Sequence, residues 1–226
     1  MTILMQREFN RLKKSILALS AQVEEHVNQS VQAVINRDTL LAQRIIDRDH
    51  EVDAREIEVE EECLKILALH QPVAADLRFI VSILKINNDL ERVGDLAVSI
   101  SKNVISLSRI TERTPPFDLA GMADIVSRML RKSLDSLVNL DQVLAEEVRT
   151  MDDSVDEINR DMYTRVKKCI SAHINDIDFP LYYLTISRRL ERIADHATNI
   201  AEDVLYMTKG HIVRHPTTSR DIRNPL

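Results

Sequence analysis

The chain is predicted to be all-α, built as two tandem, internally duplicated three-helix bundles. Three observations lead there. Its 226 residues include only three Gly, no Trp and 4% aromatics, in a background rich in Leu, Ile, Val, Ala, Glu and Arg, the composition of a helical protein. Apolar residues recur at alternating three and four spacing along most of the chain, which is helical periodicity. Shifting the first half by 103 residues, and later by 100, lays it on the second half in matching register.

The first helix begins near Thr2 and carries Phe9, Leu12, Ile16, Leu19, Val23, Val27, Val31 and Val34 on one face. Asn36-Arg37-Asp38 reads as a short turn in which Asp38 caps the next helix. That second helix holds Ile45, Val52, Val59 and Ile66 seven apart, which sets its buried seam, and His70-Gln71-Pro72 ends it because Pro disfavours helix in the residue before it. A third helix then runs to about Ile110. Its proposed seam, stepped from Leu77, is Ile80, Leu84, Asn88, Glu91, Asp95, Val98, Lys102 and Ile105: apolar at both ends and polar in the middle.

Glu112 to Phe117, with Pro115-Pro116, reads as the boundary between units, and Asp118 can cap the helix after it. The shift of 103 then carries Leu19, Val23, Val27, Val31 and Val34 onto Met122, Val126, Leu130, Leu134 and Leu137. Asn36 and Asp38 land on Asn139 and Asp141, and the second-helix seam lands on Val148, Val155, Met162 and Cys169. The offset falls to 100 around Asp176 to Pro180, a helix-connecting turn where length changes are tolerated. The last helix has the stripe Leu181, Leu184, Arg188, Glu191, Asp195, Thr198, Glu202 and Leu205. The expected organisation is a first bundle over 1–112, a second over 116–210, and a flexible tail over 211–226 without apolar period.

The formal net charge is -6; once eight acids are assigned to sites, 28 of the 36 remain against 30 basic residues. The remaining surface is near neutral, with no basic field for nucleic acid. Met1 to Lys14 lacks the continuous apolar core of a signal peptide, and Phe79 to Ile86 is too short to span a bilayer. A cytoplasmic protein is expected. Cys63 and Cys169 fall at core-like positions without metal or disulfide spacing.

The chemistry lies in duplicated acids. Leu90-Glu91-Arg92-Val93-Gly94-Asp95 recurs as Leu190-Glu191-Arg192-Ile193-Ala194-Asp195, and Asp49 and Asp53 recur as Asp152 and Asp156. Each pair projects from one helical face one turn apart, and an antiparallel helix pair brings two such faces together. Four converging carboxylates repel unless a cation or shared proton lies between them. Oxygen donors of this kind suit hard cations such as Mg²⁺, Ca²⁺, Mn²⁺ or Fe²⁺/³⁺, and bridging carboxylates can hold more than one ion. His196, directly after Asp195, is a candidate outer-shell group, although the first copy has Leu96 there.

The paired LER(I/V)(G/A)D motifs, the continuation His196-Ala197-Thr198-Asn199-Ile200-Ala201-Glu202 and the closing Lys209-Gly210 resemble the PhoU family, accessory proteins of the phosphate-specific transport system. The resemblance runs from the first helix to about His215, with Leu96 and Ser99 departing from the fuller pattern. It implies cytoplasmic, often homodimeric tandem bundles, some with multinuclear metal clusters on the E/DxxxD motifs. It further implies a negative regulator of phosphate uptake and phosphate-regulon signalling. The partners so implied are the ATPase subunit of the phosphate ABC transporter and a membrane sensor histidine kinase. Two other readings of the acids stay open. A di-metal carboxylate enzyme would use Glu-x-x-His pairs, which do not occur here. A metal-free helical signalling adaptor would leave the acids solvated or paired with Arg92, Arg188 or Arg192.

Overall fold

The computed structural model describes residues 3–110, 118–172 and 177–210. Among them lie seven helices: α1 (Ile3–Asn36), α2 (Thr39–Asp47), α3 (Asp49–His70), α4 (Ala74–Leu107), α5 (Leu119–Asn139), α6 (Gln142–Ala172) and α7 (Asp178–Lys209). The Pro115-Pro116 boundary, most of the shortened turn before α7 and the tail after Gly210 lie outside the described residues.

The duplicated turn is reproduced in detail. Arg37 and Leu140 are both left-handed, with φ of 51° and 52°. The next N–H reaches back five residues, Asp38 to the Ala33 carbonyl and Asp141 to the Ser136 carbonyl, each at 2.9 Å. This is the six-to-one bond that satisfies carbonyls at a helix end. The Asp38 carboxylate accepts from the Leu41 N–H at 2.9 Å, and that of Asp141 from Val143 and Leu144 at 2.8 and 3.2 Å, so one residue ends one helix and the next caps its successor. Asp118 likewise caps α5, accepting from the Gly121 N–H. Gln71, left-handed before Pro72, ends α3 with its N–H on the Leu67 carbonyl.

Two expectations need correction. The second helix of the first unit is broken: Arg48, at φ -95° and ψ 1°, separates α2 from α3, whereas its counterpart α6 runs without interruption. The Arg48 guanidinium bonds Glu51 through Nε and Nη2 at 3.1 and 3.0 Å, in the first turn of α3. The third helix ends at Leu107, three residues before the expected Ile110.

The seam residues of α1 and α5 are all buried, as are Ile45, Val52, Val59 and Ile66, and then Val148, Val155 and Met162; Cys169 is only half-buried. Cys63 is fully buried, and burial pushes its thiol up to about 12. In each unit the third helix packs on the first and second, and the units join along α4 and α7 around one shared apolar core.

The α4–α7 crossing is antiparallel. Lys85 pairs with Asp203 at 3.3 Å, Asp89 with His196 and Asn199 at 2.8 and 3.3 Å, and Ser99 with Arg189 at 3.0 Å. The pairs Asp89–Asn199 and Ser99–Arg189 exchange under the repeat offset of 100. A pseudo-twofold axis therefore passes between the helices near Gly94 and Ala194, in the middle of both acidic motifs.

Candidate metal centre

α4 presents Glu91 and Asp95, and α3 presents Asp49 and Asp53 from the opposite direction. Asp49 is the first residue after the break at Arg48, so the irregular turn sets where its carboxylate begins. Gly94 lets the helices approach closely: a Cβ there would lie 3.3 Å from Cγ1 of Val52. Local sequence thus places a small residue where two acidic faces must meet.

The acids act on one another. Burial, then Asp53 and Asp95, push the Asp49 carboxyl above the usual aspartate range, with Lys102 opposing. Glu91 is raised by burial and then by Asp95, with Arg92 opposing and Glu56 and Asp53 adding to it. In the second unit Asp152 is raised by burial, Asp195 and Asp156, and Glu191 by burial, Asp195, Asp156 and Asp152. Asp195, although exposed as a residue, is raised by partial desolvation of its carboxyl and by Asp156, against His196 and Arg192. Each half therefore brings its four acids within electrostatic reach across its second and third helices. The ion pairs to them are loose, Arg92 to Glu91 and Arg160 to Asp156 at 3.6 Å each, and exposed pairs of this kind contribute little.

Their placement corrects the reading of a buried polar seam. Asp53, Asp95 and Asp195 are exposed, and Asp49, Glu91, Asp152, Asp156 and Glu191 are half-buried. Leu77, from which the α4 seam was stepped, is itself 40% exposed; the buried stripe is Ile83, Ile86, Leu90, Val93, Ala97 and Ile100. The acids line the outer edge of each helix pair. Among the described residues no three His, Cys, Asp or Glu side chains stand close enough to share one ion as posed. The donor set is all carboxylate, and Asp49, Glu91, Asp152, Glu191 and Asp195 are raised by partial desolvation and by neighbouring members of the set, which fits a hard cation in chemistry.

Neighbouring groups make the two centres unequal. Glu56, one turn after Asp53, is raised by burial, then Glu60 and Asp53. Asn87 fixes it, donating from Nδ2 to its backbone and carboxylate oxygens at 3.0 and 3.1 Å. The counterparts are Asn159 and Ser187, with the Ser187 hydroxyl donating to Asn159 at 3.1 Å. The signal for Glu56 is its helical spacing from Asp53; repeat matching hides it because Asn159 is not an acid. The ring Nδ1 of His196, the candidate outer-shell group of the second centre, meets Asp89 of the first unit, while its charge opposes the rise of Asp195.

The PhoU domain model matches this chain twice, over residues 16–104 and 119–204. A phosphate-specific transport system accessory protein PhoU homolog of Pseudomonas putida is 36% identical over 212 residues, covering 92% of this chain and 82% of that protein. The homolog of the same name in Aquifex aeolicus is 32% identical, covering 92% and 95%. The crystal structure of PhoU from Pseudomonas aeruginosa superimposes with a TM-score of 0.89 at 34% identity, covering 91% of this chain and 99% of that one. A phosphate transport system regulatory protein PhoU from Streptococcus pneumoniae gives 0.83 at 29% identity, covering 92% and 99%. With two matched domains, whole-chain relatives and the repeated helical units in common, the chain belongs to the PhoU family.

Proposed function

We propose that this chain is a cytoplasmic, metal-binding regulator of phosphate homeostasis. It negatively regulates high-affinity phosphate transport and phosphate-regulon two-component signalling. Its partners in this reading are the ATPase subunit of the phosphate ABC transporter and the sensor histidine kinase, and it acts as a homodimer without catalysis of its own. The names of its relatives, accessory proteins of a phosphate-specific transport system, support the phosphate role. No described helix is long and apolar enough to cross a membrane, so contact with a transporter would be peripheral.

The observation that carries the metal reading is the repetition, in both units, of four acids in one electrostatic neighbourhood, which raises Asp49 and Glu91 in the first and Asp152, Glu191 and Asp195 in the second. When bound, a hard cation would supply positive charge beyond what Lys102, Arg92, Arg160 and Arg192 bring to these acids. Asp49, Asp53, Glu91 and Asp95 would hold it in the first unit, and Asp152, Asp156, Glu191 and Asp195 in the second. The test is elemental analysis of protein purified without chelator, wild type against Glu91→Ala plus Glu191→Ala. Stoichiometric Mg, Mn, Fe or Ca that disappears in the variant supports the site; no metal in either, after each has been offered, removes it. The absence of a ready coordination sphere among the described residues favours a second reading, a metal-free helical adaptor. That reading predicts that chelation leaves the wild-type unfolding curve unmoved. Loss of phosphate-regulated reporter expression in a deletion strain, restored by this gene, checks the regulatory role separately.

A further inference from the structure

We propose that the groove between α5 and α6 docks a basic amphipathic helix of a partner protein. The groove encloses about 470 Å³. The duplication shows what such a face receives. α1 begins at Ile3 and α5 at Leu119, the counterpart of Ile16, so no part of α5 matches Ile3–Ser15. In the first unit that segment is an amphipathic stretch burying Met5, Phe9 and Leu12, with Arg11 paired to Glu58 and Glu62 of α3.

The second unit has changed its surface to suit a separate occupant. Half-buried Ile125 and Ile158 stand where the first unit has Gln22 and Arg55, over a floor of Met122 and Met162. In the first unit Gln22 is occupied with Glu51 at 3.3 Å; its apolar replacement has no such use and widens an apolar strip. The rim carries Glu157 and Asp161, countered by Arg165, whose Nε bonds Asp161 at 2.7 Å. An apolar strip beside acids calls for a helix with apolar anchors one turn apart and Lys or Arg flanking them. This inference does not depend on the acidic centres holding metal.

The probe is a labelled peptide carrying residues 3–17 of this chain, which has Arg7, Arg11, Lys13 and Lys14 against Glu8. It is titrated into the full chain by fluorescence anisotropy. The expected result is saturable binding that weakens about tenfold or more in the double variant Ile125→Gln plus Ile158→Arg. Those residue types already occur at Gln22 and Arg55, so the bundle should fold, which circular dichroism checks. Ile57→Arg, at an exposed apolar position on α3, should leave binding unchanged. The proposal is overturned by absent saturation or by equal binding to the double variant. It is equally overturned if the double variant shifts the oligomeric state, making a second copy the occupant. Higher peptide affinity after truncation at Gly210 would assign the groove to the chain's own C-terminal residues and also overturn it.

Discussion

Asp89 of the first unit accepts a hydrogen bond from Nδ1 of His196 in the second at 2.8 Å, and one from Asn199 at 3.3 Å. Both helices carry a proposed acidic centre within a turn of this contact. The Asp89 side chain is only 10% exposed and that of His196 15%, so little water is available to replace either partner. Asp89→Ala is expected to lower the free energy of unfolding by about 1–3 kcal/mol, the range for removing a buried acceptor. Ser99→Ala removes the repeat-related bond from Arg189, which is half-buried, and should cost about 1 kcal/mol or less. Urea denaturation of the two variants, reported as midpoints at constant slope, ranks them.

The raised acids give a pH dependence of definite sign. Asp49, Glu91, Asp152, Glu191 and Asp195 all titrate above the ordinary range of their side chains, burial being the first cause in each. Stability from such groups is full below the unfolded value and is lost as pH rises through the raised folded value. Buried His26, lowered first by desolvation, acts in the opposite direction. Comparing wild type with Glu91→Gln plus Glu191→Gln cancels the histidine. In chelator, the variant should gain stability relative to wild type as pH rises through and above the ordinary glutamate range. Saturating Mn²⁺ or Mg²⁺ should reverse that advantage by stabilising only the wild type. A constant difference across the range in both conditions would remove the proposed interaction.

The repeated turns separate backbone strain from side-chain bonding. Leu140 and Arg37 are both left-handed, a conformation that costs a residue with a Cβ about 1 kcal/mol or more. Leu140 is 43% exposed, so Leu140→Gly should raise stability by about 0.5–1 kcal/mol, the relief exceeding the lost packing. Arg37 also donates from Nη2 to the Leu107 and Ile110 carbonyls at the end of α4. Arg37→Gly should therefore destabilise despite the same relief, by about 1 kcal/mol or more. Thermal unfolding of both variants checks the opposite signs.

These turns were legible because their chemistry is local: Asp38 and Asp141 cap their own chain, and Pro72 restricts its own predecessor. The buried faces of α1 and α5 were legible because apolar residues repeat there without interruption, and that of α6 as far as Met162, beyond which Cys169 is only half-buried. The α4 face was misplaced by one position in the turn, because Leu77 is apolar yet exposed and the next turns offer two parallel stripes. The break at Arg48 left no trace in the periodicity, since Ile45 and Val52 keep their spacing across it. Periodicity identifies faces and not their partners. The use of Asp89, Ser99, Arg189 and His196 across the units therefore emerged only when α4 and α7 were placed together.

Gly94 and Val52 set the separation of the first acidic centre. A Cβ on Gly94 would meet Cγ1 of Val52 at 3.3 Å, so one of the two must give by a few tenths of an ångström. Valine on a helix is held to one side-chain rotamer, which leaves movement of α3 against α4 as the available response. Replacing an interior helical glycine with alanine otherwise gains about 1 kcal/mol. Gly94→Ala in wild type is expected to gain less than this or to lose stability. In a Val52→Ala background, where the γ-methyls are gone, the same change should recover the full gain. The double-mutant cycle should therefore return a coupling of about 0.5–1 kcal/mol, measured by urea unfolding. Ala194 at the matching position does not predict a free substitution here, because α6 runs unbroken past Val155 whereas α3 starts beside the turn at Arg48. Additive changes would mean that α3 shifts freely, and that the spacing of Asp49 and Asp53 from Glu91 and Asp95 is not fixed by this contact.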